Sequence, residues 1–129
     1  MRRSSRPLVL DLDADGGDSP DEPVRMTLHV RNTGATPISL GLTGHPVAFD
    51  LVVSRADGTE VWRRLHGSVA PLVLRLVRLE AGQGLEFSDI WNRKDNWGRR
   101  TPPGSYIARG VLPTEDGLLT SPPRTLTLR

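Results

Sequence analysis

The chain of 129 residues contains no cysteine, a single lysine and few aromatic residues. The lack of cysteine excludes a disulfide framework, a thiolate metal site and a cysteine nucleophile. The longest apolar run near the start, Leu8-Val9-Leu10, is far shorter than a signal-peptide core or a membrane span. We therefore expect a cytoplasmic protein without a membrane partner.

The net charge is only +2, and the basic residues are almost all arginines scattered singly or in pairs along the chain. Basic surfaces that bind single-stranded nucleic acid interleave their charges with aromatic side chains on which bases stack. Such aromatics are nearly absent between the arginines here, so no nucleic-acid partner is expected.

Alternation of apolar and polar residues dominates the chain, and no segment of useful length has a helical period. Val24 to Val30, for example, places every second residue on an apolar face. About nine such short runs are separated by turns rich in the eleven prolines and thirteen glycines. The pattern predicts a single all-β domain over residues 1–129, an antiparallel β-sandwich, with residues 1–6 frayed.

The clearest local signal is a hairpin in which Asp57-Gly58 joins two alternating runs, Phe49–Ser54 and Glu60–Arg63. An Asp-Gly pair at this position favours a tight turn, because both central residues of the turn need positive φ. Trp62, on the returning strand, and Tyr106, near a later strand start, are predicted to bury most of their rings in the core.

Six short segments, in this order, resemble the intracellular proteinase inhibitor (BsuPI) family of bacterial immunoglobulin-like domains. They are TLHVRN at 27–32, PVAFDLVV at 46–53, DGTEVWR at 57–63, LEAGQ at 79–83, Trp91 with Gly98, and PPGSY at 102–106. The resemblance implies an immunoglobulin-like β-sandwich and the inhibition of an intracellular serine protease of the subtilisin-like class. It carries no reactive-site motif onto this sequence, so the inhibitory residues remain open.

The segment Asp11 to Glu22 matches the calcium-loop pattern D-x-D-x-D-G-x5-E, with candidate ligands Asp11, Asp13, Asp15 and Glu22. Calcium loops of this kind lie between two helices. Here a strand pattern precedes the loop, and Pro20 and Pro23 exclude an exiting helix. We expect an acidic surface loop without a metal.

No motif for catalysis or cofactor binding occurs. The three histidines, His29, His45 and His66, lack the close spacing that presents a pair to a metal, and no G-x-S-x-G elbow is present. The sequence therefore predicts a protein that is not an enzyme and that needs no cofactor.

The connections of an antiparallel sandwich alternate between its two ends, and binding residues concentrate on such loops. Counting strands predicts that one end carries the connections 13–23, 43–46, 65–71 and 92–103. The opposite end is predicted to carry 32–37, 56–59, 80–84 and 113–121.

The first of these ends carries the candidate protein-binding residues, which are Trp97, Arg99, Arg100, Leu65 and His66. Trp97 has two interpretations, an exposed interface anchor or a lid folded back on the sandwich. Two functions also stay open, protease inhibition through these loops and a non-inhibitory immunoglobulin-like interaction or ligand-binding module.

Overall fold

A computed structural model of the chain describes residues 7–43, 48–68 and 74–129. The frayed segment predicted at 1–6, His45 and the second half of the connection predicted at 65–71 lie outside these residues. The ten strands are β1 (Leu8–Gly16), β2 (Val24–Asn32), β3 (Ile38–Thr43), β4 (Asp50–Ser54), β5 (Glu60–Arg63), β6 (Leu74–Leu79), β7 (Gly84–Trp91), β8 (Gly104–Thr114), β9 (Gly117–Thr120) and β10 (Arg124–Leu128). The described residues contain no helix that is long and apolar enough to cross a membrane.

The strands form two antiparallel sheets, which confirms the predicted all-β sandwich. One sheet has the order β1-β2-β7, and the other contains the neighbours β5-β4-β8-β3-β6 together with β9 and β10, which pair with β8. β8 is central because its eleven residues are enough to pair with β4, β10, β9 and β3 in turn.

The period-two pattern of the sequence decides which side chains enter the space between the sheets. In β2 the alternate residues Val24, Met26, Leu28 and Val30 are all at most 1% exposed, as predicted. A hydrophobic core forms where these residues meet the inward residues of β4 and β8. Burying such aliphatic side chains stabilises the fold by about 1.5–3 kcal/mol each.

Three aromatic side chains pack together at the end of the core near the start of β8. Trp91 is fully buried, its ring stacks on Trp62 at 5.9 Å between centroids, and Tyr106 meets its edge at 6.1 Å. The Tyr106 hydroxyl donates to the Pro102 carbonyl at 2.5 Å. This bond resembles the tyrosine corner of immunoglobulin-like sandwiches. Tyr106 is buried as predicted, and Trp62, which keeps part of its surface in solvent, packs against the core.

The tenth strand is β9, which lies in a segment predicted to be a simple connection. After β8 the chain turns at Glu115-Asp116, and Val111 to Thr114 pair with Gly117 to Thr120 as a hairpin. The sequence pattern did not indicate this hairpin, because Pro113 lies in its first strand and proline is rare within central strands.

The predicted distribution of loops between the two ends is wrong for the β4–β5 hairpin and for the two connections that flank it, predicted at 43–46 and 65–71. β3 and β4 are both antiparallel to β8, so the chain does not reverse direction between them. β5 and β6 also run the same way, because they pair antiparallel with β4 and β3. The 56–59 turn therefore lies at the end that carries the 17–23 and 92–103 connections.

We expect Trp91→Ala to lower the free energy of unfolding by about 3–5 kcal/mol, because the substitution leaves a large cavity under Trp62 and Tyr106. Trp62→Ala should cost less, since part of its ring is already in contact with solvent. Urea denaturation of both variants tests this order, with Trp97→Ala as the control for loss of an exposed ring. Equal losses at positions 91 and 62 would contradict the packing described here.

Candidate functional site

The connection 92–103 between β7 and β8 forms a tight, hydrogen-bonded loop. Lys94 and Arg100 face each other in an isolated antiparallel bridge. Asp95 N donates to Arg99 O at 2.7 Å, and Gly98 N donates to Asp95 O at 3.0 Å. Gly98 has a φ of 82°, a conformation that glycine adopts without steric cost. Trp97 and Gly98 therefore stand at the tip of a closed turn.

The Asp95 carboxylate fixes this tip from inside. Its Oδ1 accepts hydrogen bonds from the backbone N–H groups of Trp97 and Arg99, both at 2.9 Å. The backbone hydrogen bond from Arg99 has the largest effect on the pKa of Asp95, and with the bond from Trp97 it lowers this pKa below its ordinary value of 3.8. The Arg99 guanidinium adds to the effect. A charged acceptor forms stronger bonds than a neutral one, so the ionised form holds the turn.

Asn96 attaches the loop to the edge of β5. Its backbone N donates to Val61 O at 3.0 Å, and its Oδ1 accepts from Arg63 N at 2.9 Å. Its Nδ2 donates to the Glu60 carboxylate at 2.9 Å. The loop thus continues the hydrogen bonding of the sheet and covers part of an edge that would otherwise be open.

Arg93 anchors the base of the loop from a position that is 2% exposed. Its guanidinium donates to the carbonyls of Ser19 and Arg129, each at 2.8 Å, and to that of Glu22 at 3.3 Å. Its own carbonyl accepts from the backbone N–H and the hydroxyl of Thr101, both at 2.9 Å. The base is therefore tied to the β1–β2 connection and to the residue after β10.

Trp97 projects from this held loop and is 69% exposed. The His66 ring lies 5.7 Å from its ring, centroid to centroid, and the Arg99 guanidinium lies 6.0 Å from its centroid. The prediction of a lid folded back on the sandwich is wrong. An exposed indole between a histidine and an arginine has the composition of an interface anchor.

Leu65 and His66 lie on the turn that follows β5. Leu65 N donates to Asp50 Oδ1 at 3.1 Å, and the buried Asp50 carboxylate also pairs with Arg63 at 2.7 Å. Leu65 is partly buried and His66 is exposed. Together with Val111 and Leu118 they border a shallow depression.

Arg100, in contrast, is directed away from the tip and forms an ion pair with Asp21 in the β1–β2 connection. The structure thus brings Trp97, Arg99 and His66 together, with Leu65 next to His66 in the chain, and pairs Arg100 with Asp21 instead. Asp95, Asn96 and Arg93 were not among the residues predicted from the sequence. The run Asp95-Asn96-Trp97-Gly98 is a turn signature that could have identified the first two.

The calcium candidates occupy a different surface. Asp11, Asp13 and Asp15 lie at alternate positions of β1 and face solvent. Asp13 contacts His29 at 2.8 Å and Arg124 at 3.6 Å, while the Glu22 carboxylate accepts from Asp18 N at 2.7 Å. Within residues 7–43, 48–68 and 74–129, no three His, Asp or Glu side chains converge on a position that could hold a metal ion.

Comparison with known proteins identifies a family. The family model BsuPI, described as intracellular proteinase inhibitor, matches residues 10–117. No curated protein matches the chain.

Several solved structures share the fold at low sequence identity. Sporulation control protein Spo0M from Bacillus subtilis has a TM-score of 0.54 at 16% identity, covering 95% of this chain and 49% of that one. β-Glucuronidase from Bacteroides uniformis and the alkylpurine DNA glycosylase AlkC from Pseudomonas fluorescens each have a TM-score of 0.50 at 14% identity. This chain covers 13% and 31% of their lengths, and they cover 94% and 96% of it. Such similarities show the fold alone.

We predict that calcium does not raise the melting temperature, because the aspartates of β1 are fixed along an extended strand and do not converge. A site saturated at ~100 times its dissociation constant would stabilise the protein by about 2.7 kcal/mol. Differential scanning calorimetry with and without calcium measures this. A saturable rise that Asp15→Ala abolishes would show that the acidic segment rearranges to bind the ion.

The lowered pKa of Asp95 predicts a pH dependence of stability. A carboxyl group with a lowered pKa in the folded state contributes stability above its ordinary pKa and loses it as the pH falls through the lowered value. Wild type should therefore exceed Asp95→Ala in stability from neutral pH down to about pH 4. The difference should shrink at lower pH. Urea denaturation between neutral and strongly acidic pH tests this, and a difference that grows on acidification would contradict it.

Proposed function

The chain belongs to the BsuPI family of intracellular proteinase inhibitors, and from this membership we propose that it inhibits a subtilisin-like serine protease in the cytoplasm through the loop that carries Trp97. In this proposal the protein acts by contact with the protease and catalyses no reaction itself. The contact surface consists of the Trp97 tip with Arg99 and His66, and Leu65 lies at its border.

The observation that supports the choice of loop is the exposure of Trp97 on a turn that is fixed at its tip, its side and its base. Asp95 binds the tip, Asn96 binds β5, and Arg93 binds the neighbouring segments. Tight binding requires that little conformational entropy is lost on association. A loop already held in one conformation meets this requirement.

The composition of the tip suits a protein contact. Tryptophan and arginine are enriched among the residues that contribute most to binding energy, because they bury large area with few rotatable bonds or form several hydrogen bonds. Trp97 and Arg99 are adjacent here, and neither ring nor guanidinium is part of the core. Leu65, the neighbour of His66 in the chain, offers an apolar side chain for a second contact.

The shape of the loop also bears on the mechanism. A protease cleft receives a convex segment, and an inhibitor must keep that segment in place after it has bound. In this loop the bonds from Asp95 and the bridge between Lys94 and Arg100 hold the two arms together across the tip. We infer that this closure would keep the segment from relaxing into the extended form of a good substrate.

We expect Trp97→Ala and Leu65→Ala each to weaken inhibition of a subtilisin-like protease by more than ~1 kcal/mol, about fivefold in the inhibition constant. Neither should change the urea midpoint appreciably, because Trp97 is exposed and Leu65 is only partly buried. Inhibition constants from steady-state hydrolysis of a peptide substrate provide the measurement. Ile90→Ala is the matched control, since Ile90 is 47% exposed but lies on a sheet face.

The possible results separate the parts of the proposal. If Ile90→Ala weakens inhibition and Trp97→Ala does not, the protein inhibits through a sheet face and the choice of loop is wrong. If wild type fails to inhibit at micromolar concentration, the inhibitory function itself is rejected in favour of a non-inhibitory interaction module.

A further inference from the structure

A second surface, distant in sequence from the Trp97 loop, lies on strand β6. Among the described residues β6 pairs only with β3, so it is an edge of the seven-stranded sheet. Its six residues, Leu-Arg-Leu-Val-Arg-Leu, contain no proline, glycine or bulge. An edge strand of this kind presents a row of backbone donors and acceptors to any other strand.

The side chains of β6 make this edge unusual in the molecule. Leu74 is 56% exposed and Leu76 is 74% exposed on the outer face of the sheet. Leu76 pairs with Gly41, which has no side chain to cover it, and Leu74 extends over the same glycine. Two adjacent leucines thus face solvent beside an open strand edge.

Two other edge strands, β5 and β1, are protected against pairing. The β5 edge is bonded to Asn96, and β1 carries aspartates at three alternate outward positions. Natural proteins use covering segments and charges of this kind to prevent unwanted pairing of strands. On the outward face of β6 the one charged residue, Arg78, stands at the far end of the strand, and no charge separates Leu74 from Leu76. This exposed apolar pair indicates that the edge has a partner.

We propose that the partner is a second copy of this chain, whose β6 pairs antiparallel with the first around a twofold axis centred on Leu76. In this register Leu76 lies opposite Leu76 of the second copy, and Leu74 lies opposite Arg78 of the second copy. The outward leucines of both copies then form one apolar cluster, and Arg78 of each copy covers Leu74 of the other with its aliphatic part.

The sequence of β6 is compatible with pairing to itself. In an antiparallel pair, directly opposed residues point to the same face of the sheet. When a twofold axis pairs a strand with its own copy, a residue therefore lies opposite either itself or a residue an even number of positions away. Arg75 and Arg78 are three positions apart and therefore never oppose each other. In the register centred on Leu76, neither arginine lies opposite the same arginine of the second copy. No like charges therefore face each other directly.

Pairing of this kind also terminates by itself. A twofold interface uses the same surface on both copies, so the two β6 edges are consumed together and no further copy can add at that place. The two seven-stranded sheets become one continuous sheet. This surface is separate from the loop proposed to contact a protease, so the two proposals stand or fall independently.

Analytical ultracentrifugation of the purified chain tests the proposal. The 14.2 kDa chain should sediment as a dimer at micromolar concentration. Leu76→Lys should shift it to a monomer, because two lysines would then face each other across the axis. Leu118→Lys is the control, since Leu118 is 69% exposed but lies on β9, and it should leave the dimer intact. A monomeric wild type, or a dimer that survives Leu76→Lys, would overturn the proposal.

Cross-linking provides a readout that does not depend on a destabilising charge. Because the chain has no cysteine, Leu76→Cys introduces a single thiol, which the register places opposite its copy with Cβ atoms about 4.5–5.5 Å apart. Mild oxidation should convert this variant to a disulfide-linked dimer much faster than Leu118→Cys. Equal rates for the two variants would show that the encounter is random and would reject the register.

Discussion

The buried guanidinium of Arg93 is the interaction on which one end of this sandwich depends. Removing a charged group from water costs several kcal/mol unless polar partners replace the water. Arg93 obtains these partners from the backbone carbonyls of Ser19, Glu22 and Arg129. It can do so only if the β1–β2 connection, the residue after β10 and the 92–103 loop are all in place. The cost of burial thereby makes these three segments cooperative.

The core residues could be predicted from the sequence because the alternation of apolar and polar residues is a local property. Each inward residue of β2 is identified by its neighbours two positions away, and burial follows wherever a second sheet covers that face. Trp62 and Trp91 show the limit of this reasoning. Both stand on strands, and Trp91, which packs against both Trp62 and Tyr106, is the more deeply buried of the two.

The end of the sandwich at which each loop lies could not be predicted from local sequence in the same way. Two connections, those between β3 and β4 and between β5 and β6, continue in the same direction instead of reversing. Nothing in the local composition distinguishes them from turns. The exposure of Trp97 was one of two alternatives in the sequence, and the structure decides it through Asp95 and Asn96. Which arginine of the loop is buried depends on contacts with residues more than thirty positions away, at Ser19, Glu22 and Arg129.

The 92–103 loop divides its residues between two tasks. Arg93 and Asn96 bond to the rest of the domain and Thr101 bonds to Arg93, whereas Trp97 and Arg99 extend their side chains from the loop. Changes at the second group leave the bonds of the first intact. Members of a lineage could therefore differ at the tip while the domain continues to fold in the same way. For the same reason the tip is a place where other side chains can be introduced without loss of the fold.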